Sequence, residues 1–242
     1  SNFGEDNHMI LENDLLFLRS HSLFYAACSK SGCSKIKSIL GEINTGAKFI
    51  EQSPHRKENT KLLAITDLNN NEALNVLFGG QVFRFAFIRN PFERAISCYL
   101  NRIERLGLEG YDNLQSATKE HQENIKKINF WKNFSNRKGE DISFEDFIEY
   151  ICQQDFYEMD RHWLPQHISL HTDIIQYDFI GRLENFEEDM SYVLDEVGID
   201  SRAIDLKSKL NETKMKENIS DHFFNGHLKE IFYNKYINDF KL

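Results

Sequence analysis

Lys30, Ser31, Gly32 and Ser34 fall together in the stretch CSKSGCSKIKS, residues 28–38, directly after the apolar run Ser22 to Ala27. A strand that runs through a glycine turn into a helix leaves backbone N–H groups and the positive end of the helix dipole facing the turn. Lys30 adds a mobile cation, and Ser31 and Ser34 add hydroxyl donors. Together these are the parts of a phosphate cradle. The spacing GxxxxGK[ST] of a triphosphate-binding loop is absent. Taken alone, the stretch also reads as an ordinary strand-to-helix turn with surface lysines.

A second stretch, FIRNPFERAISCYLNRI, covers residues 87–103. It puts Arg89 at the carboxyl end of a strand, where open α/β sheets bind ligands. The guanidinium offers a planar fork of donors suited to phosphate. Ser97 stands about two turns into the helix that follows. Alone, Arg89 is as readily a partner of Glu93, and Ser97 as readily a buried helix serine.

The elements that must carry these residues are legible in outline. Ser22 to Cys28 reads as a buried strand, and a helix runs from about Ser34 to Leu40. A short element lies near Leu62 to Ile65. Val82 to Ile88, VFRFAFI, is the clearest strand. Asn90 then caps a helix whose first position is Pro91, with Glu93 completing a capping-box pattern. Ser143 starts another capped helix. Ile174 to Ile180 reads as a strand, Phe186 to Val197 as a helix closed by Gly198, and His222 to Phe240 as an amphipathic helix. Gly107 to Gly139 is polar and helical in part. Alternating strands and helices predict an α/β fold of three layers, with a mainly parallel sheet flanked by helices and a P-loop-like nucleotide site.

Composition narrows the function. The chain has 242 residues and a formal net charge of −9. Its length suits one large α/β domain, or at most a domain plus a small helical addition, and is enough to bury a core without staples. The acidic balance argues against general nucleic-acid or membrane-surface binding, and it makes a basic cluster a local anion site. No run of about 18 apolar residues predicts a membrane span, and no signal peptide is visible. Residues 1–8 read as a vector-derived tail, because His8-Met9 looks like a cloning junction, which leaves residues 9–242 as one domain. The alternative is a lumenal domain with its anchor removed. Cys28, Cys33, Cys98 and Cys152 show no metal-ligand spacing, and they fit a reducing compartment better than a disulfide framework.

Taken together, the two stretches resemble the co-substrate motifs of the carbohydrate sulfotransferases, the Golgi chondroitin, dermatan and HNK-1-type enzymes and their bacterial relatives. In that family a P-K-x-G-[CS]-[ST] loop holds the 5′-phosphosulfate of 3′-phosphoadenosine-5′-phosphosulfate (PAPS), and R-[DN]-P-[FL]-x-R-x-x-S holds the 3′-phosphate. The chain reads Ser29-Lys30-Ser31-Gly32-Cys33-Ser34 and Arg89-Asn90-Pro91-Phe92-Glu93-Arg94-Ala95-Ile96-Ser97. Ser29 replaces the loop's proline, and Lys35 replaces an aromatic often found after it. DRHWLPQ (Asp160 to Gln166), YDFIGRLENFEED (Tyr177 to Asp189) and the closing YINDFKL extend the resemblance. Animal members commonly carry two cysteines where this chain has Leu170 and Asp173, which favours a bacterial-type cytoplasmic enzyme over one from the Golgi lumen.

The resemblance implies a PAPS-dependent enzyme that sulfates a hydroxyl of a carbohydrate or glycoconjugate, with no metal. Lys30, Ser31, Gly32, Cys33, Ser34 and Lys35 would hold the 5′-phosphosulfate, with Lys30 also catalytic. Arg89 and Ser97 would select the 3′-phosphate that ATP lacks. His162 is the first candidate for general base, and Trp163 beside it can stack on a sugar face; the pair can equally be packing that fixes the loop. His55 is a rival base or acceptor contact, and Glu93 a weaker one, with His167 and His171 near in sequence. Some related enzymes place a histidine about twenty residues before the 3′-phosphate arginine, and the region around Thr66 and Asp67 has none. Arg161, Arg102 and Arg182 can face an anionic acceptor. Lys214 and Lys216 either close over the nucleotide or form a solvated charge run. No oligomeric state is assigned. The competing readings are an ATP-dependent kinase-like enzyme, which lacks its acidic magnesium motif here, and a nucleotide-binding protein without catalysis.

Overall fold

The computed structural model describes residues 14–48, 53–104, 119–135, 141–207 and 222–242. In chain order it has β1 (Leu15–Leu18), β2 (Leu23–Ala26), α1 (Cys33–Thr45), α2 (Lys57–Thr60), β3 (Leu63–Ala64), α3 (Asn70–Phe78), β4 (Phe83–Ile88), α4 (Pro91–Tyr99), α5 (Lys119–Phe134), α6 (Phe144–Gln153), α7 (Gln166–Ser169), β5 (Phe179–Arg182), α8 (Phe186–Glu196) and α9 (Gly226–Lys235). The chain divides into two compact units. The first takes the described residues of Ser1–Arg89 and Gln166–Glu212, and the second those of Asn90–Pro165 and Thr213–Leu242.

The first unit holds a five-stranded sheet in the order β3-β1-β2-β4-β5. β2 pairs with β4, and β4 with β5, in parallel. β1 pairs antiparallel with both β2 and β3. The sheet is therefore mixed, where a mainly parallel one was expected. The reason is local. β1 returns to β2 through the one-turn segment Arg19–His21, with Ser22 left-handed at φ 47°. A connection that short closes only an antiparallel pair.

β2 is buried throughout, and β4 is buried from Arg84 to Ile88, so these central strands read as nearly continuous apolar runs broken by Arg84. On one face Leu23, Tyr25, Phe85 and Phe87 pack with Ile36, Ile39 and Leu40 of α1 and with Met190, Val193 and Leu194 of α8. Tyr25 stacks on Phe85 at 5.0 Å. Phe24, Ala26, Ala86 and Ile88, the alternate residues, are buried as well. Gly198 turns left-handed at φ 76° just after α8, as expected of a helix-ending glycine. The strand expected over Ile174 to Ile180 begins later, at Phe179. The amides of Ile174 and Ile175 donate instead to the His171 carbonyl, at 2.9 and 2.8 Å, which makes a turn of those β-branched residues.

The second unit is helical. Asn90 caps α4 by accepting from the Phe92 and Glu93 amides at 3.0 and 3.4 Å, and Pro91 takes the first position. Ser143 and Asp146 form a reciprocal capping box at the start of α6. Buried Lys132 of α5 pairs with Asp146 at 3.2 Å. The core joins Ile96, Phe147, Ile151, Trp163, Phe232 and Tyr236. The helix expected from His222 to Phe240 is narrower, spanning Gly226–Lys235 behind an Asn225 cap. Among the described residues of Gly107 to Gly139, Lys119–Phe134 form the helix α5. The rest of that stretch within 105–118 and 136–139, the tail 1–8, and Lys214 and Lys216 lie outside the described residues. No helix among the described residues is long and apolar enough to cross a membrane.

Candidate functional site

In the first unit the turn after β2 has a distinctive backbone. Lys30 at φ 68° and Gly32 at φ 81° are left-handed on either side of Ser31. For lysine that conformation costs about 1–2 kcal/mol, a cost that folded proteins concentrate at functional loops. Gly32 stands at the N-terminal cap of α1. A Cβ there would lie 2.8 Å from Leu183 Cδ1, so a side chain would have to displace the Leu183 methyl as well as adopt the left-handed backbone. α1 runs for 13 residues, and its first-turn N–H groups and dipole face the turn. A left-handed, glycine-tight turn at a helix start, with Lys30 in it, fits an anionic phosphate group.

One side chain joins this turn to the end of β4. Gln166, at the start of α7, is 0% exposed. Its Oε1 accepts the Ser31 hydroxyl at 2.9 Å and the Arg89 amide at 2.9 Å. Its Nε2 donates to the Arg89 carbonyl at 2.9 Å. β2 and β4 are neighbours in the sheet, so the two motif segments leave adjacent parallel strands at the same end. No role for Gln166 was read from the sequence. The only available signal was its place at the end of DRHWLPQ.

Side-chain placement refines several expectations. The Ser31 hydroxyl spends its proton on Gln166, so Ser31 shapes the loop where a phosphate donor was expected. Cys33 packs its side chain against the apolar core and offers the turn only its backbone. Ser34 meets His55, Oγ to Nε2, at 2.8 Å, which brings His55 to the start of α1. Lys35 sends its ammonium to the Leu206 carbonyl at 2.5 Å and over the Phe186 ring at 4.1 Å. Lys30 and Arg89 are half-buried. Arg182 ends β5 and is exposed, while His167 and His171 lie in α7 and the turn after it.

The second unit holds the other candidates. Ser97 is buried on α4, and Glu93 is half-buried on its first turn. His162, 7% exposed, donates Nδ1–H to Asp160 Oδ1 at 2.6 Å. Asn124 Nδ2 donates to the other oxygen of Asp160 at 2.6 Å. Arg102, in a π-helical turn at Leu100–Glu104 that continues α4, donates to His162 Nε2. Such turns recur at functional sites. Arg102, which the sequence left open as one of three arginines able to face an anionic acceptor, is thus directed at His162. Burial pushes the His162 pKa down to about 4; Asp160 opposes this, and Arg102 and Arg161 add to it. Trp163 is 3% exposed, donates to Gln154 Oε1 at 2.8 Å and packs edge-on to Phe147. It has no open face for a sugar, so the packing role is the one its surroundings give. Arg161 is half-buried beside them.

An α/β unit with an anion-fitting turn and an arginine at the ends of neighbouring parallel strands defines a class of α/β protein with a candidate anion site at one end of its sheet. Comparison with known proteins carries this further: the model described as the sulfotransferase family matches residues 13–242, and the chain belongs to that family. Carbohydrate sulfotransferase 14 of Danio rerio is 29% identical over 192 residues, covering 78% of this chain and 48% of the relative. Carbohydrate sulfotransferase 11 of Mus musculus is 25% identical over 234 residues, covering 90% and 60%. Carbohydrate sulfotransferase 10 of Homo sapiens is 26% identical over 237 residues, covering 92% and 64%. The chain thus spans roughly half to just under two thirds of the length of these curated relatives. No solved structure gives a significant match.

Proposed function

We propose that this chain transfers the sulfuryl group of PAPS to a hydroxyl of a carbohydrate or glycoconjugate acceptor, by in-line transfer assisted by a general base. The observation that carries the reading is the Gln166 bridge, which sets the Lys30 turn beside Arg89 on neighbouring strand ends, in the order of the family's two motifs. The names of the relatives support the carbohydrate acceptor. In this reading residues 9–242 act as one catalytic domain with a P-loop-like site.

PAPS would supply the activated sulfuryl group; the chain's own residues bind, orient and move protons. The Lys30 turn and the first-turn amides of α1 would hold the 5′-phosphosulfate, with Lys30 offsetting charge on the departing phosphate. Ser34 would add a hydroxyl there. Arg89, with Ser97, would read the 3′-phosphate. His162 would take the acceptor's proton at Nε2. That lone pair now accepts from Arg102, so Arg102 must leave before His162 can act. Arg161 and His55 are the remaining acceptor contacts in this reading. The spacing of the four cysteines, and Leu170 and Asp173 at positions where animal members carry cysteines, support a cytoplasmic, bacterial-type setting; the relatives named above are animal proteins. The test is transfer of labelled sulfate from PAPS to a panel of glycans, with Lys30→Ala as control. Label in a glycan from wild type but not from the variant supports the reading, and none from wild type with any glycan counts against it.

A further inference from the structure

Resting on the nucleotide reading above, we propose that Gln166 is a positioning residue that fixes the separation between the two phosphate-binding segments, so that the site recognises both phosphates of one nucleotide as a unit. Three hydrogen bonds of 2.9 Å converge on this single amide, which touches Ser31 at one segment and both backbone groups of Arg89 at the other. Its orientation is set by its partners. The Arg89 N–H needs an acceptor and the Arg89 carbonyl needs a donor, so a flipped amide would set donor against donor and acceptor against acceptor. Complete burial keeps water from competing for these bonds.

The residue held on the loop side is the informative one. Ser31 lies between the left-handed Lys30 and Gly32, so a bond to its hydroxyl fixes the middle of the strained turn. On the other side, a pair of bonds to the Arg89 backbone sets where that side chain leaves the strand. The Gln166 amide is uncharged, and the bonds that argue for its role go to protein groups. Its effect is preorganisation. A ligand that engages both segments at once gains from a fixed spacing, whereas a ligand that engages one segment gains little.

The experiment is calorimetric titration with three probes: adenosine 3′,5′-bisphosphate, adenosine 5′-phosphate and adenosine 3′-phosphate. Wild type is compared with Gln166→Met, which removes these three bonds and the longer one from Cys28 Sγ at 4.0 Å, and with Ser31→Ala, which cuts only the bond to Ser31. The expected result is a roughly ten- to hundredfold loss of bisphosphate affinity in Gln166→Met. Ser31→Ala loses less, and each monophosphate changes by less than about threefold in either variant. Equal losses for all three probes would overturn the proposal, because they mark a general weakening of the fold. Unchanged bisphosphate affinity in both variants would overturn it too. If Gln166→Met does not fold, Ser31→Ala carries the same comparison. A wild type that does not prefer the bisphosphate to adenosine 5′-phosphate overturns the nucleotide reading itself, a separate result seen before any variant is made.

Discussion

His162 donates its Nδ1–H to Asp160 at 2.6 Å while its Nε2 accepts from Arg102. Asp160 also accepts from the His162 amide at 2.8 Å and from Asn124 at 2.6 Å. A carboxylate surrounded by donors fixes the tautomer: the proton sits on Nδ1 and the lone pair on Nε2. The ring is held in the neutral form that a general base requires.

This arrangement makes stability depend on pH. The folded His162 titrates at about 4, below its ordinary 6.5. Between those values the unfolded chain binds a proton that the folded one refuses, so stability falls as pH drops through that window. The loss is on the order of 3 kcal/mol by pH 4. Urea unfolding at stepped pH should show this slope in wild type, and His162→Asn should lack most of it.

Arg102 keeps a positive charge and an N–H against the ring. Arg102→Met removes both, so the His162 pKa should rise, which NMR titration of the imidazole reads directly. In the same assay series, His162→Ala should lower kcat by roughly 10²–10⁴-fold. Bisphosphate affinity should stay within about threefold, because no nucleotide contact is assigned to this ring.

Lys30 separates stability from activity. Lys30→Gly relaxes the left-handed residue at φ 68° and should raise stability by about 1 kcal/mol. Sulfuryl transfer should drop by about 10²–10³-fold, as it does for loss of a charge-stabilising donor. Lys30→Ala should show the same loss of rate without the gain in stability. Thermal melts and single-turnover rates on the two variants give the comparison.

Arg89 should carry the choice of nucleotide. Lysine cannot reproduce the planar fork, so Arg89→Lys should cut the preference for adenosine 3′,5′-bisphosphate over adenosine 5′-phosphate by roughly tenfold or more. Competition binding with the two nucleotides measures it.

Features set by neighbours along the chain were legible in the sequence. The strand at Phe83–Ile88, the Asn90 cap with Pro91, the Ser143 cap and the Gly198 stop all follow from local chemistry. Features set by distant partners were not. β1 is four apolar residues whose pairing with β2 depends on a tight turn, and short runs of that kind do not announce their partners. Gln166 is 77 residues from Arg89 and 135 from Ser31, so nothing in the spacing shows that one amide binds both. Trp163 looked like a sugar platform by residue type, and only its burial against Phe147 and Tyr236 shows it as core. His162 could be chosen as a base by its motif. That Arg102, 60 residues away, occupies its lone pair is a tertiary fact.

The most direct measurement is the thermal midpoint with adenosine 3′,5′-bisphosphate, ATP or adenosine 5′-phosphate added separately. At about 100 times its dissociation constant the bisphosphate should add roughly 2.7 kcal/mol and raise the midpoint by several degrees. That shift is expected for the bisphosphate, and little for the other two at the same concentration. A shift with ATP and none with the bisphosphate would contradict it and point to a kinase-like enzyme.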